Sequence, residues 1–254
     1  ASIIDSRFLT IDSWRAVFLA IPLILVMAMG QMMVIICRHV DISIGSILAF
    51  AAITIGFVFI HYPETSLLMA LLITASVGTV MGLVNGIIVT RFNVHSIIVT
   101  LGTLSLYRGL VFIVSGGRQI DRNDIPVHII SFSQTSFLFS IPAILILSVI
   151  IVLVTHLIMR HSVLGREIYA TGSNPEAAHL KGINVTKVTL FCFGVCGMLA
   201  GVAGLFYASR FGYVNPGVTG VGIEFIVIAG VIIGGTSITG GSGSVLGTFL
   251  GILL

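Results

Sequence analysis

Six runs of mostly apolar residues, each closed by a short polar break, leave this chain few folds to choose from. They cover 14–37, 43–60, 66–90, 94–114, 141–159 and 188–208. About 20 apolar residues are what a helix needs to cross a hydrocarbon layer ~30 Å thick. From Glu224 the chain turns apolar again. Of its 254 residues, 57% are hydrophobic and only 8% are charged, against about 25% charged in an average soluble domain. A soluble fold could not cover that much apolar surface. The expectation is an all-α, polytopic integral membrane bundle, a single transmembrane domain over 1–254, with broken or re-entrant helices where glycines interrupt the runs. The chain opens on a polar lead-in without a cleavable signal peptide and stops inside the apolar run 249–254. We therefore expect a fragment cut at both ends.

Parity of the runs sets an orientation. With 160–187 in the cytoplasm, 38–42 and 91–93 share that side, while 1–13, 61–65, 115–140 and 209–222 face outward. The inner set holds Arg38, Arg91, Arg160, Arg166, Lys181 and Lys187 against Asp41, Glu167 and Glu176. The outer set holds Arg7, Arg118, Arg122 and Arg210 against Asp5, Asp12, Glu64, Asp121 and Asp124. This bias agrees with the enrichment of Lys and Arg in cytoplasmic loops. The net charge of +3 is scattered over loop ends, with no basic stripe interleaved with aromatics, so nucleic acid is not an expected partner.

The longest polar passage is Arg160 to Lys187. Within it, Asn174 suits an N-cap, Pro175 the first helical position, and Gly182 the position just past the end. Glu176 lies near the positive end of the helix dipole and Lys181 near the negative end. A helix of about two turns is marginal alone in water, so this one is expected to dock against something.

Gly235, Thr236, Ser237, Ile238, Thr239 and Gly240 have phosphate-loop spacing, but Gly241 stands where that loop needs Lys, which argues against ATP binding by this chain. The run 234–244 reads better as non-helical backbone within a membrane protein. Cys37, Cys192 and Cys196 lie in apolar runs and read as small buried hydrophobes. The seven histidines show no metal spacing, and no Ser/His/Asp, Cys/His or paired-carboxylate set stands out; no cofactor is implied. Asp41 and Glu224 are the carboxylates closest to apolar cores. A carboxylate at membrane depth is costly and usually functional, yet Asp41 can also cap a helix beginning at Ile42, and Glu224 can sit at a helix start near the outer surface. Arg108 either snorkels to the interface or lines a pathway. Asn85, Thr100 and Thr103 either bond between helices or face a solute. Val34-Ile35-Ile36 followed by Gly45-Ser46-Ile47-Leu48 is echoed by Val231-Ile232-Ile233 followed by Gly243-Ser244-Val245-Leu246, either as a chance likeness of apolar stretches or as a transporter repeat with broken helices.

Several blocks together carry a resemblance. They are Val40-Asp41-Ile42-Ser43-Ile44-Gly45-Ser46, Thr100-Leu101-Gly102-Thr103 running to Tyr107-Arg108-Gly109, Ser115-Gly116-Gly117, Gly165-Arg166 with Asn174-Pro175-Glu176-Ala177-Ala178 and Gly182-Ile183-Asn184, and Ile233-Gly234-Gly235-Thr236-Ser237 with Gly240-Gly241-Ser242-Gly243-Ser244. In this order they resemble the permease subunit of ribose-type sugar ABC importers, and Tyr169-Ala170-Thr171-Gly172, Arg38-His39 and the 217–224 loop look most like permeases for autoinducer 2 or rhamnose. The ribose-type pattern has Gly-Gly where this chain has Arg38-His39. The resemblance implies a non-catalytic subunit of the bacterial inner membrane, paired with a second permease subunit, a periplasmic solute-binding protein outside and an ABC ATPase inside. It also makes Asn174, Pro175, Glu176, Ala177, Ala178, His179, Lys181 and Gly182 the coupling helix that meets the ATPase. A translocation path through Asp41, Ser43, Asn85, Thr100, Thr103, Arg108 and Glu224 is the further expectation. The competing reading is a secondary transporter or channel that works without ATP; an intramembrane enzyme lacks a catalytic constellation.

Overall fold

The computed structural model describes residues 11–134, 136–138 and 141–254, with side chains placed outside 11–18 and 134–141. The expected lead-in at 1–13 therefore lies mostly outside the described residues. The chain is all-α in character. Among the described residues, six helices are long and apolar enough to cross a membrane: α1 (Ile11–Ile36), α2 (Ile44–His61), α3 (Leu67–Phe92), α4 (Ser96–Ser115), α6 (Ala143–His161) and α9 (Val185–Phe211). Each matches one apolar run. The stretch 115–140, expected as a loop, contains a 3-10 turn at Arg122–Asp124 and α5 (Val127–Gln134), followed by a minimal antiparallel pairing of Ser136–Leu138 with Ile141–Pro142. The polar passage folds into two helices rather than one, α7 (Val163–Ser173) and α8 (Pro175–Leu180). The chain closes on α10 (Ile223–Ile233) and α11 (Val245–Leu253).

Burial sorts the spans into centre and rim. In α1 and α9, 78% of the apolar window is buried, against 28% in α3 and α4 and 22% in α6. The outer helices turn Leu72, Val80, Phe112, Ile113 and Leu153 outward, as lipid-facing helices do. Lipid tails are as apolar as leucine, so helices in a membrane are held by close backbone approach and polar contacts. Antiparallel α3 and α9 meet through such an approach. A Cβ on Gly197 would stand 2.8 Å from the Gly82 Cα, and one on Gly201 would stand 3.1 Å from the Gly78 Cα. On its other side α9 packs against α1, where a Cβ on Gly30 would lie 2.6 Å from the Cys196 Cα. Cys37, Cys192 and Cys196 are all buried free thiols.

Loops gather at two ends in the grouping that parity implies. At one end, Arg38 bonds to Ser173, and Arg38, Asn93, His95, Pro175 and Val185 border a common cavity. At the other, Ile120 pairs with Val214, Asn215 with Gln119, and His128 with Thr65. The first group carries the Lys and Arg excess and is termed the basic end.

The echo between the two apolar segments corresponds to a shared backbone turn. α1 ends with Arg38 N–H donating to Ile35 O at 3.0 Å and His39 N–H to Val34 O at 3.0 Å. α10 ends with Gly235 N–H donating to Ile232 O at 2.9 Å and Thr236 N–H to Val231 O at 3.3 Å. Both are Schellman turns with the residue past the cap in the left-handed region: Arg38 at φ 68° and Gly235 at φ 87°. After each turn, the next helix is preceded by a serine, Ser43 before α2 and Ser244 before α11. The structural match thus aligns Ser244 with Ser43 and not, as the sequence echo had it, with Ser46.

Candidate functional site

Two places concentrate polar groups: the break between α1 and α2, and the short helix at the basic end. The break is not a surface turn. Ile36 ends α1, and the chain then climbs back into the bundle without helical structure until Ile44. Asp41 reaches Gln31, five residues before the end of α1, and Asn85, seven residues before the end of α3. At 1.5 Å per residue that is about 7 to 10 Å inside the helix ends. Non-helical backbone at such depth must find its hydrogen bonds within the protein, and here side chains supply them. Ser96 Oγ accepts from Val40 N–H at 3.1 Å, and Thr100 Oγ1 donates to Val40 O at 3.3 Å. In the amide orientation that satisfies both groups, Gln31 donates to Asp41 O and accepts from Asp41 N–H, each at 3.2 Å.

The Asp41 side chain is fully buried and its hydrogen-bond partners are neutral. Its Oδ1 accepts from Ser43 N–H at 2.9 Å and from Ser43 Oγ at 2.7 Å, and its Oδ2 from Asn85 Nδ2 at 3.2 Å. Asn85 also donates to Ser43 Oγ at 2.8 Å, and its Oδ1 at 3.1 Å shares the single Tyr107 hydroxyl proton with Met81 O at 2.9 Å. Asp41 is not the N-cap expected for a helix beginning at Ile42. The helix begins at Ile44, Ser43 holds the cap position, and the Asp41 carboxylate braces Ser43 from two residues upstream. Glu224 does stand in the first turn of a helix, α10, but buried against Gly45 near the start of α2 instead of at the outer surface. Arg108 is half-buried and donates to Thr219 O at 2.6 Å. Thr103, also buried, donates to Thr100 O at 3.4 Å within α4.

Asp41, Ser43, Asn85 and Thr100 thus meet in one seam around the start of α2, with Glu224 against its first turn. Arg108 is tied to the loop before α10, and Thr103 stays on its own helix. Gln31, Ser96 and Tyr107 belong to the seam but are absent from the expected path. Gln31 could have been included: it is the one amide or hydroxyl side chain between Leu19 and Ile36.

At the basic end, α8 has the punctuation expected of it. Asn174 Oδ1 accepts from Ala177 N–H at 3.0 Å, Pro175 opens the helix, and Glu176 lies in the first turn. Gly182 N–H donates to His179 O at 2.9 Å and Ile183 N–H to Ala178 O at 3.1 Å, with Gly182 at φ 85°. This is a third Schellman turn, at a position where glycine removes the cost of a left-handed residue. Of the six helical residues only Ala178 is buried, and Pro175 is half-buried. Leu180, absent from the expected set, is 86% exposed. Nearby, burial and the neighbouring His95 hold the His39 imidazole down to about 4, and the ring packs on Phe193 with centroids 5.8 Å apart. Burial also pushes the Tyr169 phenol up.

Comparison with known proteins places this architecture. The family described as branched-chain amino acid transport system / permease component matches residues 15–254. The autoinducer 2 import system permease protein LsrC of Yersinia pseudotuberculosis serotype O:3 (strain YPIII) is 34% identical over 252 residues, 99% of this chain and 70% of that protein. The protein of the same name from Yersinia pestis (strain Pestoides F) is 34% identical over the same shares. No solved structure matches the chain. With six membrane-length helices and a family match over nearly its whole length, the chain belongs to this family of transport-system permease components and is a multi-pass permease subunit of an ABC importer in the bacterial inner membrane.

Proposed function

We propose that this permease carries a monosaccharide or sugar-like solute of the ribose, rhamnose and autoinducer 2 class into the cytoplasm, driven by a separate ABC ATPase that grips α8. The basic end is then cytoplasmic. A periplasmic solute-binding protein delivers the solute at the opposite end, and a second permease subunit, identical or related, completes the pathway. The solute class is supported by the relatives, which are autoinducer 2 import permeases by name. The observation that carries the docking reading is Leu180: a leucine 86% exposed on a six-residue helix outside the spans, flanked by exposed His179 and Lys181. Such a short helix is marginal in water, and an exposed apolar anchor ringed by polar groups is what a partner's pocket takes up.

The seam of Asp41, Ser43 and Asn85, with Thr100, Thr103, Arg108 and Glu224 around it, stands beside the solute route in this reading. Its groups are satisfied by one another in the state seen and repack as the helices tilt. The ATP-independent alternative draws on one observation, a fully buried Asp41 whose partners are neutral, as an ion-coupling carboxylate would be.

Co-purification tests the choice. The detergent-solubilised wild-type permease should bring down an ATPase subunit, and Leu180→Asp should lose it while keeping the same melting midpoint. Uptake by wild type that persists in ATP-depleted vesicles and collapses with the proton gradient would favour the alternative.

A further inference from the structure

Three segments that are remote in sequence close on one another at the basic end, one residue before the Asn174 cap of α8. The end of α1 reaches the end of α7 through Arg38 Nη2, which donates to Ser173 O at 2.8 Å. α7 reaches the glycine run through Tyr169 Oη, which donates to Gly243 O at 2.9 Å. The glycine run returns to α1 through Gly241 N–H, which donates to Ile36 O at 2.8 Å. The three bonds form a closed triangle among α1, α7 and the α10–α11 turn. Its interior has no room for side chains: a Cβ on Gly172 would collide with Ile36 O, one on Gly240 with the Arg38 side chain, and one on Gly241 would stand 2.8 Å from Ser173 Cα.

Arg38 sits in this triangle at a conformational cost. It occupies the left-handed position past a Schellman turn, φ 68°, where glycine would be free of strain and an L-residue crowds its own carbonyl. Elsewhere around α8 the packing is open. A cavity of about 430 Å³, lined by Arg38, His39, Asn93, His95 and Pro175 among others, separates the start of α8 from the α3–α4 turn. The triangle is thus a direct bonded route from the segment entering α8 to the break that holds Asp41, and to the matching break after α10.

Resting on the docking of α8 to an ATPase, we propose that Arg38 and Tyr169 are positioning residues of a transmission junction, which passes a displacement of α8 to both helix breaks at once. Neither residue touches nucleotide or ATPase in this account. Their loss should therefore spare assembly and hydrolysis but spoil the link to transport.

The test uses the full-length permease with its co-purifying ATPase and cognate binding protein, reconstituted in proteoliposomes. R38G keeps the turn and relieves its strain; Y169F removes one hydroxyl. Each variant should retain the ATPase on purification and melt at or above the wild-type midpoint for R38G. Each should also raise the ATP hydrolysed per solute imported by about fivefold, the lower edge of ordinary allosteric coupling. The double variant should do little more than either alone, and R38K should restore part of the ratio. Wild-type ATP-to-solute ratios in both single variants, with the ATPase retained, would overturn the junction while leaving α8 docking intact. A wild-type permease that brings down no ATPase would instead remove the reading beneath it.

Discussion

Asp41 is the residue on which the centre of the bundle turns. Its carboxylate, fully buried, is held by Ser43 and Asn85, and Asn85 is in turn held by Tyr107. Leaving one buried polar group of such a set unsatisfied costs about 1–3 kcal/mol. Asn85→Leu strands the Asp41 Oδ2 and removes the donor to Ser43 Oγ, so it should lower the melting midpoint in detergent clearly, whereas Thr103→Val, whose hydroxyl bonds only within its own helix, should change it little. His39 gives a pH dependence with a definite sign. Folding holds its imidazole at about 4, below the ordinary 6.5. Between those values the unfolded chain binds a proton that the folded one does not, so stability falls as pH drops from about 6.5 toward about 4. Melting midpoints compared at pH 7 and pH 5 should show a drop in wild type that is smaller in His39→Gln.

At the scale of elements, the α3 and α9 pair should be intolerant of bulk. Gly197→Leu would drive a side chain into the Gly82 backbone, where a Cβ alone stands 2.8 Å from a Cα. Overpacking of this kind costs about 1–3 kcal/mol or more, and expression of folded protein, read by size exclusion in detergent, should fall sharply. Gly102→Leu on α4, with open space beside it, should leave it intact. The spans were legible because lipid forces each one into a long apolar run: the run 66–90 became Leu67–Phe92, and 188–208 became Val185–Phe211. α8 was legible because Asn174, Pro175 and Gly182 each meet a local backbone demand. α7 was not, since its polar surface reads as loop, although Ser162 caps it through Gly165 N–H at 3.0 Å. The inward climb of residues 38–43 was hidden as well. Its hydrogen bonds come from Gln31, Ser96 and Thr100 on other helices, and no local pattern announces partners that distant. Leu180 was not legible, because an apolar residue in an apolar chain stands out only through its exposure in the fold.

For the whole molecule, sequence and structure converge on an apolar helical bundle with one basic end. Loops rich in Lys and Arg collect where α7 and α8 stand. Both non-helical breaks, after α1 and after α10, open toward that same end with matching turns. In the reading proposed above, a partner's push on α8 is what these breaks turn into rearrangement deep inside. The measurement that tests this most directly is photo-cross-linking from a reactive residue placed at position 180 in the active, solute-importing complex. The account predicts an adduct with the nucleotide-hydrolysing subunit whose yield changes between ATP-bound and ATP-free states. Adducts confined to the permease itself or to lipid, in a complex that still imports, would contradict it.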